Sequence, residues 1–249
     1  MRFELHPDYQ HLSDFIGQLP AIFSHEGELI YDKRNKVRRF IYKNEHLIVK
    51  KFKRPHLIQR IVYTYFKKSK AERAYSYAGV FRQSGIDTPH EIAFIEIKEN
   101  GFFTESYFVS TECTDTPLMP VLNKVGFDKQ IAQELASYLV CLHTKGILHG
   151  DLNLNNILYR MENGCCLFTL IDTNRSTFMT EPDMQTCMNN LKRLTHNKEL
   201  MDYVVRAYAT IRQWDPDKCA TLVFRCLSSF EEKVRRKRQF QALIGLKKK

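Results

Sequence analysis

The sequence predicts an α+β fold in which strands occupy the first half of the chain and helices the second half. Short runs rich in Val, Ile, Phe and Tyr dominate up to Cys113, whereas apolar residues at helical spacing dominate from Asp128 onward. Such segregation is typical of α+β chains. We therefore expect two lobes, residues 1–113 and 114–249, with a boundary near Thr114–Pro120 and a cleft between them.

The strand-rich half contains two predicted hairpins and one helix. The runs "RRFIYKN" and "EHLIVKKF" form the first hairpin, with its turn at Lys43–Asn44–Glu45. The second hairpin, within "TPHEIAFIEIKENGFFTESYFVSTEC", turns at Glu99–Asn100–Gly101. Between the hairpins, "SKAERAYSYAGVFRQSG" predicts a helix because small and apolar residues recur at helical spacing and Ser84–Gly85 closes it.

The helix-rich half opens with the clearest element of the chain, "DKQIAQELASYLVCLHTKG". Asp128 is a suitable N-cap and Gly146 a suitable C-cap. One apolar face is expected, formed by Ile131, Leu135, Tyr138, Leu139 and Leu142. Two strand-like runs, "NILYRM" and "CLFTLID", then flank Glu162–Asn163–Gly164, and the pattern from "EPDMQTCMNNLKRL" onward is helical.

The formal charge of +10 is concentrated in two basic regions. Residues 32–73 carry 15 Lys and Arg against 3 Asp and Glu, and residues 233–249 carry 8 Lys and Arg without an acid. The remainder of the chain therefore carries a charge of −10. Two basic patches on an acidic body attract phosphates, nucleic acid or anionic membrane, unless they are only solvated surface.

The composition is typical of a globular protein that stays in the cytoplasm. Hydrophobic residues make up 43% of the chain, and because no apolar run reaches 18 residues we expect no transmembrane helix. The start, "MRFELHPDYQHLSDF", lacks the apolar segment of a secretory signal. The seven cysteines are irregularly placed without a CxxC pair, which favours reduced thiols over a metal cluster.

The stretch "LHGDLNLNNILY", residues 148–159, carries the strongest chemical signal and follows the predicted helix directly. The catalytic loop of protein kinases has the sequence motif H-R-D-L-x-x-x-N. In this chain, Asp151 and Asn156 follow His149 at the same spacing. In phosphoryl transfer, a carboxylate orients the attacking hydroxyl and accepts its proton, while an amide oxygen helps to hold Mg²⁺. The spacing therefore predicts Asp151 as the catalytic base and Asn156 as a metal ligand.

Three further residues complete the set that a nucleotide-dependent phosphotransferase requires. The run "CLFTLID" ends in Asp172, where a second metal ligand is expected. On the strand "LIVKKF" we favour Lys50 over Lys51 as the phosphate ligand, because Lys50 ends the apolar run directly. Glu72, the only Glu between Lys51 and Pro89, is the default partner of that lysine. Each residue alone is typical of a turn or a solvated edge, so the prediction depends on their joint order.

The chain departs from protein kinases at several motifs. Gly150 replaces the arginine that pairs with a phosphorylated activation loop, no A-P-E motif follows, and Asp172-Thr173-Asn174 replaces D-F-G. No G-x-G-x-x-G is present; the basic stretch "IYDKRNKVRRF" stands in its place. There Lys33, Arg34 and Lys36 are expected either to cover phosphates by charge or to bind an anionic acceptor. The departures favour a sugar kinase over a protein kinase that is regulated through its activation loop.

The chain resembles the lipopolysaccharide kinase family, the Kdo and core-heptose kinases of Gram-negative bacteria. The similarity lies in "LIVKKFKRP", "SKAERAYSYAGVFRQSGIDTPHEIAFIE", "ESYFVSTE", "HGDLNLNNILY" and "LIDTNRSTF". It implies a protein-kinase-like bilobal fold, with a small β-rich N-lobe and a helical C-lobe. It also implies ATP and Mg²⁺ as cofactors, and transfer of the γ-phosphate to a sugar hydroxyl of a lipid-linked saccharide, the lipopolysaccharide inner core.

The same resemblance implies roles for individual residues. Asp151, Asn156, Asp172 and Lys50 keep the roles assigned above. The segment "YFVSTEC" joins the lobes, and its backbone near Glu112 and Cys113 meets adenine.

The basic regions suit an anionic, membrane-associated acceptor. Lipid A and Kdo are anionic and lie at the inner face of the cytoplasmic membrane. The tail "KVRRKRQFQALIGLKKK" is therefore either a peripheral contact with anionic lipid or a solvated helix end. Nucleic-acid binding is not favoured, because the aromatics of the first basic region, such as Tyr63 and Tyr65, serve a core equally well.

Two other classes of function remain compatible with the residues. One is a different phosphotransferase, of the aminoglycoside or fructosamine type, or an atypical protein kinase. The other is a pseudokinase that uses the fold as a binding module. Retention of Lys50, Asp151, Asn156 and Asp172 argues against the pseudokinase.

Overall fold

The computed structural model describes residues 1–243, which form two compact units. The first unit consists of Met1–Asp115 and Thr169–Ser176, and the second of Thr116–Phe168 and the described residues from Thr177 onward. The α+β class is confirmed, because an antiparallel sheet lies in the first unit and most helices lie in the second. None of the helices in residues 1–243 has the length and apolarity that crossing a membrane requires.

An antiparallel six-stranded sheet forms the framework of the first unit. Its strands are β1 (Arg2–Leu5), β2 (Glu28–Asp32), β3 (Lys36–Tyr42), β4 (Glu45–Lys51), β5 (Glu91–Glu99) and β6 (Phe102–Thr111). Their spatial order is β1-β5-β6-β4-β3-β2. The predicted hairpins are confirmed as β3–β4 and β5–β6, with positive φ at Lys43, Asn44, Asn100 and Gly101, as tight turns between antiparallel strands require. The basic stretch "IYDKRNKVRRF" forms most of the β2–β3 hairpin.

A helix near the N-terminus, α1 (Ser13–Ile22), was not predicted and supplies much of the core of this unit. Its Phe15, Ile16 and Leu19 are buried against apolar side chains of the sheet. The sequence gives no clear signal for this helix, because Pro20 lies inside it and a 3-10 stretch that is kinked at Tyr9, Pro7–Leu12, leads into it. The apolar period is therefore short and interrupted.

Two helices lie between β4 and β5. The first, α2 (Leu57–Tyr65), was not predicted and has no buried residue. The second, α3 (Lys70–Gln83), confirms the predicted helix: Ser69 caps it by accepting a hydrogen bond from the backbone N–H of Glu72. Its buried residues are those of the predicted pattern, Ala71, Ala74, Ala78 and Phe81.

The division between the units differs from the predicted one at residues 169–176. We expected these residues in the second lobe, yet they group with the first unit. The backbone N–H of Leu170 donates to the Asp87 carbonyl at 2.9 Å, and the Thr169 hydroxyl donates to the Asp115 carboxylate at 2.5 Å. Contacts this distant in the chain leave no local signal in the sequence.

Five helices and five short strands belong wholly or mainly to the second unit. The helices are α4 (Met119–Leu122), α5 (Lys129–Thr144), α6 (Met184–Leu191), α7 (Lys198–Ile211) and α8 (Pro216–Leu243). The strands are β7 (Thr116–Pro117), β8 (Ile147–Leu148), β9 (Ile157–Glu162), β10 (Cys165–Leu170) and β11 (Thr177–Phe178). Strands β10, β9 and β7 form one sheet and β11 pairs with β8, while α7 packs against both α5 and α8.

Helix α5 confirms the clearest prediction, with a small rotation of its buried face. Asp128 caps the helix by accepting hydrogen bonds from two backbone N–H groups of the first turn. Ile131 and Tyr138 are only half-buried. The buried residues are Ala132, Leu135, Ala136, Leu139, Leu142 and His143.

A glycine fixes the point where α5 ends and the loop with Asp151 begins. Gly146 has a φ of 72°, and a Cβ at this position would lie 2.0 Å from the carbonyl oxygen of Met179. The backbone N–H of Met179 donates to the Gly146 carbonyl at 2.9 Å, so two chain segments touch here without side chains between them. Only glycine allows both the left-handed turn and this approach.

Candidate active site

Strand β4 carries two adjacent lysines that take different partners. Lys50 Nζ lies 2.7 Å from Asp172 Oδ1, and Lys51 Nζ lies 2.8 Å from Glu105 Oε2. Successive residues of a strand point to opposite faces, so only one of the two can face Asp172. The structure thus brings together two of the predicted site residues, Lys50 and Asp172, which are 122 positions apart in the sequence.

Asp172 lies two residues after the end of β10 and adopts the left-handed backbone conformation, with φ 60° and ψ 45°. This conformation costs energy in a residue other than glycine, and it persists only where the surroundings impose it. A 3-10 turn, Thr173–Arg175, begins after it, and the Asn174 side-chain amide donates a hydrogen bond to the Asp172 carboxylate. The two residues that replace Phe and Gly of D-F-G, Thr173 and Asn174, are buried and define this turn.

A basic cluster lies beside Asp172. Burial lowers the pKa of Lys70, the positive charges of Arg34, Arg175 and Arg73 lower it further, and the negative charge of Asp172 raises it. Lys70 and Arg73 lie near the N-terminal end of α3, where unpaired helix N–H groups add positive potential. Such a concentration of positive charge suits a polyphosphate. Sequence reasoning missed Lys70, Arg73 and Arg175, because in the sequence they were three charges among many.

The predicted partner of Lys50 is wrong. Glu72 lies 3.4 Å from Arg2 and 3.7 Å from Lys68, while Lys50 pairs with Asp172. Arg2 belongs to β1, which two intervening strands separate from β4 in the sheet order. Strand β1 is therefore about 14 Å from β4, at about 4.8 Å per strand step. Elimination by sequence position could not reveal this, because β1 was not predicted.

Glu112 and Cys113, predicted to meet adenine, follow β6 in the first unit. The backbone N–H of Glu112 donates to the His46 carbonyl at 2.9 Å, so this donor is committed to the sheet. The Glu112 carboxylate lies 2.6 Å from Arg39 Nη2, and burial raises the pKa of the Cys113 thiol. Contact of this backbone with adenine stays a prediction, and it involves groups other than the N–H of Glu112.

In the second unit, asparagines shape the loop that carries Asp151. Asn156 Nδ2 and Asn153 Nδ2 each donate to the Asp151 carbonyl at 2.8 Å. The Asn153 side-chain oxygen also accepts from the backbone N–H of Asn155 at 3.0 Å and caps the 3-10 turn Leu154–Asn156. Because its amide nitrogen is committed to Asp151, the polar atom that Asn156 can offer to a metal is its amide oxygen.

A buried polar network supports this loop from three helices. Asn190 on α6 donates Nδ2 to the His149 carbonyl at 3.0 Å, and its Oδ1 lies 3.0 Å from His143 Nε2 on α5. His143 Nδ1 lies 2.9 Å from the Tyr208 hydroxyl on α7. Because Asn190 Oδ1 can only accept, His143 carries its proton on Nε2 and accepts from Tyr208. Burial lowers the pKa of His143 to about 4, so the imidazole is neutral near pH 7.

Arg193 is a functional candidate that sequence reasoning missed. Its Nη1 lies 2.6 Å from Asp151 Oδ1, and its guanidinium lies 5.1 Å from the ring centroid of Phe230 on α8. In the sequence, Arg193 is one of two basic residues just after α6, where cations are common at helix ends. The guanidinium occupies one side of the carboxylate that the predicted chemistry needs for the acceptor hydroxyl.

The residues fit a magnesium nucleotide by their chemistry. The two predicted metal ligands, Asp172 in the first unit and Asn156 in the second, both offer oxygen, which Mg²⁺ prefers. The basic cluster around Lys70 supplies the positive charge that polyphosphate binding requires.

Comparisons with known proteins agree with this chemistry. The model of the lipopolysaccharide kinase (Kdo/WaaP) family matches residues 29–216, and no curated protein matches the chain. A solved structure of WaaP in complex with acyl carrier protein is similar with a TM-score of 0.60 and 13% identity, over 95% of this chain and 99% of that chain. At this identity the likeness shows the fold alone, and it confirms the predicted protein-kinase-like fold. The Rio2 kinase-ADP/Mg2+-phosphoaspartate complex from Chaetomium thermophilum gives a TM-score of 0.49 at 15% identity, over 90% of this chain and 77% of that one.

Proposed function

The chain belongs to the lipopolysaccharide kinase (Kdo/WaaP) family and is a phosphotransferase with a hydroxyl acceptor, and from this premise we propose that it phosphorylates a sugar of the lipopolysaccharide inner core with ATP. The acceptor sugar is Kdo or a core heptose. The observation that carries the proposal is the 2.7 Å ion pair of Lys50 and Asp172, because it joins a phosphate-binding cation to a metal-binding carboxylate.

On the nucleotide side, each residue has a defined task. Lys50 and the basic cluster neutralise the phosphates of ATP, and the carboxylate of Asp172 would hold Mg²⁺. The amide oxygen of Asn156 stays the second predicted ligand. When bound, Mg²⁺ neutralises charge that develops on the transferred phosphoryl group. The contacts of the Asp172 carboxylate with Lys50 and Asn174 support this assignment, because they hold the carboxylate in place before any ligand arrives. The backbone near Glu112 and Cys113 takes adenine.

On the acceptor side, Asp151 orients the sugar hydroxyl and accepts its proton as the oxygen attacks the γ-phosphorus. The bond between the γ-phosphorus and the bridging oxygen breaks, and ADP leaves with that electron pair. The hydrogen bonds from Asn153 and Asn156 to its carbonyl fix the loop, so the carboxylate is aimed by the backbone. Arg193 must yield one side of this carboxylate to the acceptor. An acceptor with its own anionic group beside the hydroxyl offers Arg193 a replacement partner. Kdo is a sugar acid and meets this requirement, so of the two sugars we favour Kdo.

We place the reaction at the inner face of the cytoplasmic membrane, where the lipid-linked acceptor lies. The predicted membrane contact of the basic tail falls partly on α8, which continues to Leu243. Residues 244–249 lie outside the described residues.

The proposal is tested by incubating the purified protein with labelled ATP, Mg²⁺ and either Kdo–lipid A or a heptose-containing core fragment. Label should enter the Kdo-containing acceptor, and Asp151→Asn should slow transfer by at least about 10²-fold while ATP affinity is unchanged. Asp217→Asn removes an acid whose side chain is 87% exposed on α8 and serves as the matched control. A folded protein that binds ATP but labels neither acceptor would overturn the proposal.

A further inference from the structure

Helix α2 turns its apolar face to solvent. At about 100° per residue, Leu57, Ile58, Ile61 and Tyr65 share one face about 100° wide, and we name these four residues the α2 stripe. Their exposed fractions are 72%, 78%, 46% and 66%, and Phe66, which follows, is 78% exposed. Single exposed apolar residues are ordinary on protein surfaces, whereas a contiguous row marks an interaction site.

The opposite face of α2 is anchored to the sheet by polar groups. Arg60 Nε donates to the Phe103 carbonyl at 2.9 Å, and the backbone N–H of Phe103 donates to the Thr64 hydroxyl at 3.0 Å. The Tyr63 ring packs against the Phe103 ring at a centroid distance of 5.4 Å. In an ordinary amphipathic helix of a globular protein, the apolar face is the buried one. In α2, by contrast, the α2 stripe faces solvent, and the hydrogen bonds of Arg60 and Thr64 hold the helix in this orientation.

Cations border the α2 stripe at both ends. Residues 53–68 include Lys53, Arg54, Arg60, Lys67 and Lys68, and no Asp or Glu. Four of these five are exposed, Arg60 being the exception. Arg54 and Lys68 have ion-pair partners in Glu99 and Glu72, whereas no ion pair among the described residues involves Lys53 or Lys67. The surface is therefore apolar along its ridge and positive at its ends.

We propose that α2 is a membrane-docking helix, in which the α2 stripe enters the interface of an anionic bilayer and Lys53 and Lys67 bind lipid phosphates. A helix that presents an apolar ridge between cations has the features that interfacial binding requires. A second copy of the chain is a poorer occupant, because pairing two α2 stripes brings like charges together. The inference deepens the proposed function. It rests on that function only for the reason why the protein binds a membrane, which is that the acceptor is lipid-linked.

The test is co-sedimentation of the full chain with vesicles of phosphatidylcholine, with or without phosphatidylglycerol. The protein should bind the vesicles that contain phosphatidylglycerol, and the double variant Ile58→Glu/Ile61→Glu should bind them at least about tenfold more weakly. Its matched control is Ile41→Glu/Val125→Glu, which adds the same charge at positions 66% and 95% exposed outside α2 and should bind like the parent. Lys53→Gln/Lys67→Gln should weaken binding and reduce its dependence on salt.

Several results would overturn the inference. They are equal binding by the two Glu variants, equal binding of the parent to both kinds of vesicle, and a monomer–dimer equilibrium in solution that only the α2 variant abolishes. Transfer to a deacylated, water-soluble acceptor separates this inference from the proposed function. The α2 variant should keep that activity, whereas a parent that binds vesicles but transfers nothing would count against the proposed function alone.

Discussion

Asp172 and Asp151 each lie beside a cation, but the two ion pairs are built differently. Asp172 has a left-handed backbone, its carboxylate accepts from Asn174, and its cation is Lys50 of the same compact unit's sheet. Asp151 has its carbonyl held by asparagines, and its cation is Arg193, from the segment after α6. In the first pair the side chain itself is locked. In the second pair the asparagines hold the backbone, and the proposed reaction requires the side chain to exchange its partner.

The difference follows from what each acid has to do in the proposed reaction. A metal ligand works best when its position is fixed before binding, since no energy is then needed to orient it. A catalytic base must release its resting partner to meet the acceptor hydroxyl. The four predictions below test this contrast, from the largest expected effect to the smallest.

Replacing either acid should have the largest effect, and the two losses should differ in kind. We expect Asp151→Asn to lower kcat by about 10²–10⁴-fold with unchanged ATP affinity, because only proton transfer is lost. Asp172→Asn should abolish turnover and also the Mg²⁺ dependence of nucleotide binding. Steady-state kinetics and calorimetric titration with and without Mg²⁺ measure the two effects. Identical behaviour of both variants would contradict the division of roles.

The adjacent lysines of β4 provide an internal control. Lys50→Met should weaken ATP binding by about 2 kcal/mol, because a charge-assisted contact to phosphate is lost. Lys51→Met removes the partner of Glu105 and should leave ATP affinity unchanged. Nucleotide titrations of the two variants show which lysine contacts phosphate, and circular dichroism is the control for folding. If Lys51→Met loses more ATP affinity than Lys50→Met, the phosphate contact belongs to Lys51 and our assignment to Lys50 is wrong.

Acid should loosen the buried network that supports the Asp151 loop. The pKa of His143 is lowered from 6.5 to about 4, so the unfolded chain binds a proton at this residue at a higher pH than the folded protein does. Stability should therefore fall as the pH drops from 6.5 towards 4, by about 1.5 kcal/mol at about pH 5.5. Chemical denaturation at several pH values measures this. His143→Gln, which cannot titrate, should show a flatter profile, and a profile as steep as the parent's would refute the assignment.

Arg193→Gln should have the smallest effect, and only on the acceptor. We expect KM for a Kdo-containing acceptor to rise by about fivefold, or about 1 kcal/mol, with KM for ATP unchanged. Arg193→Lys should restore part of the affinity, because the charge returns without the planar fork. An acceptor that lacks a carboxylate should not distinguish the variants. If it distinguishes them as strongly as Kdo does, Arg193 acts on the fold of the loop and not on the acceptor's charge.

Sequence reasoning predicted the elements whose signals are local. The β3–β4 and β5–β6 hairpins have tight-turn residues, and α3 and α5 have both apolar periodicity and side-chain caps. The relative order of Lys50, Asp151, Asn156 and Asp172 along the chain also carried information, since the spacing between chemical groups is set by the elements that hold them. These predictions needed no knowledge of distant contacts.

Sequence reasoning failed where tertiary structure decides. The partner of Glu72 depends on β1, a four-residue edge strand whose exposed side chains show no pattern. Arg193 reaches Asp151 from the end of α6, and no periodicity connects the two. Residues 169–176 join the first unit through contacts with Asp87 and Asp115. A division of the chain at a single point places residues 169–176 in the second lobe instead. Helix α2 escaped prediction because four of its large apolar residues face outward, while Arg60 and Thr64 hydrogen-bond to the sheet.

The position of Glu72 has a consequence for inhibitor design. In protein kinases the lysine depends on a glutamate of a mobile helix, and moving that helix silences the enzyme. Lys50 takes its counter-charge from Asp172, which the proposed reaction requires, so the ion pair of this lysine does not depend on a glutamate of α3. Glu72 contacts Arg2 and Lys68 instead. We therefore expect compounds that act by breaking a lysine–glutamate pair to discriminate strongly between protein kinases and this chain, and selective compounds against it to exploit Lys70 or Arg193.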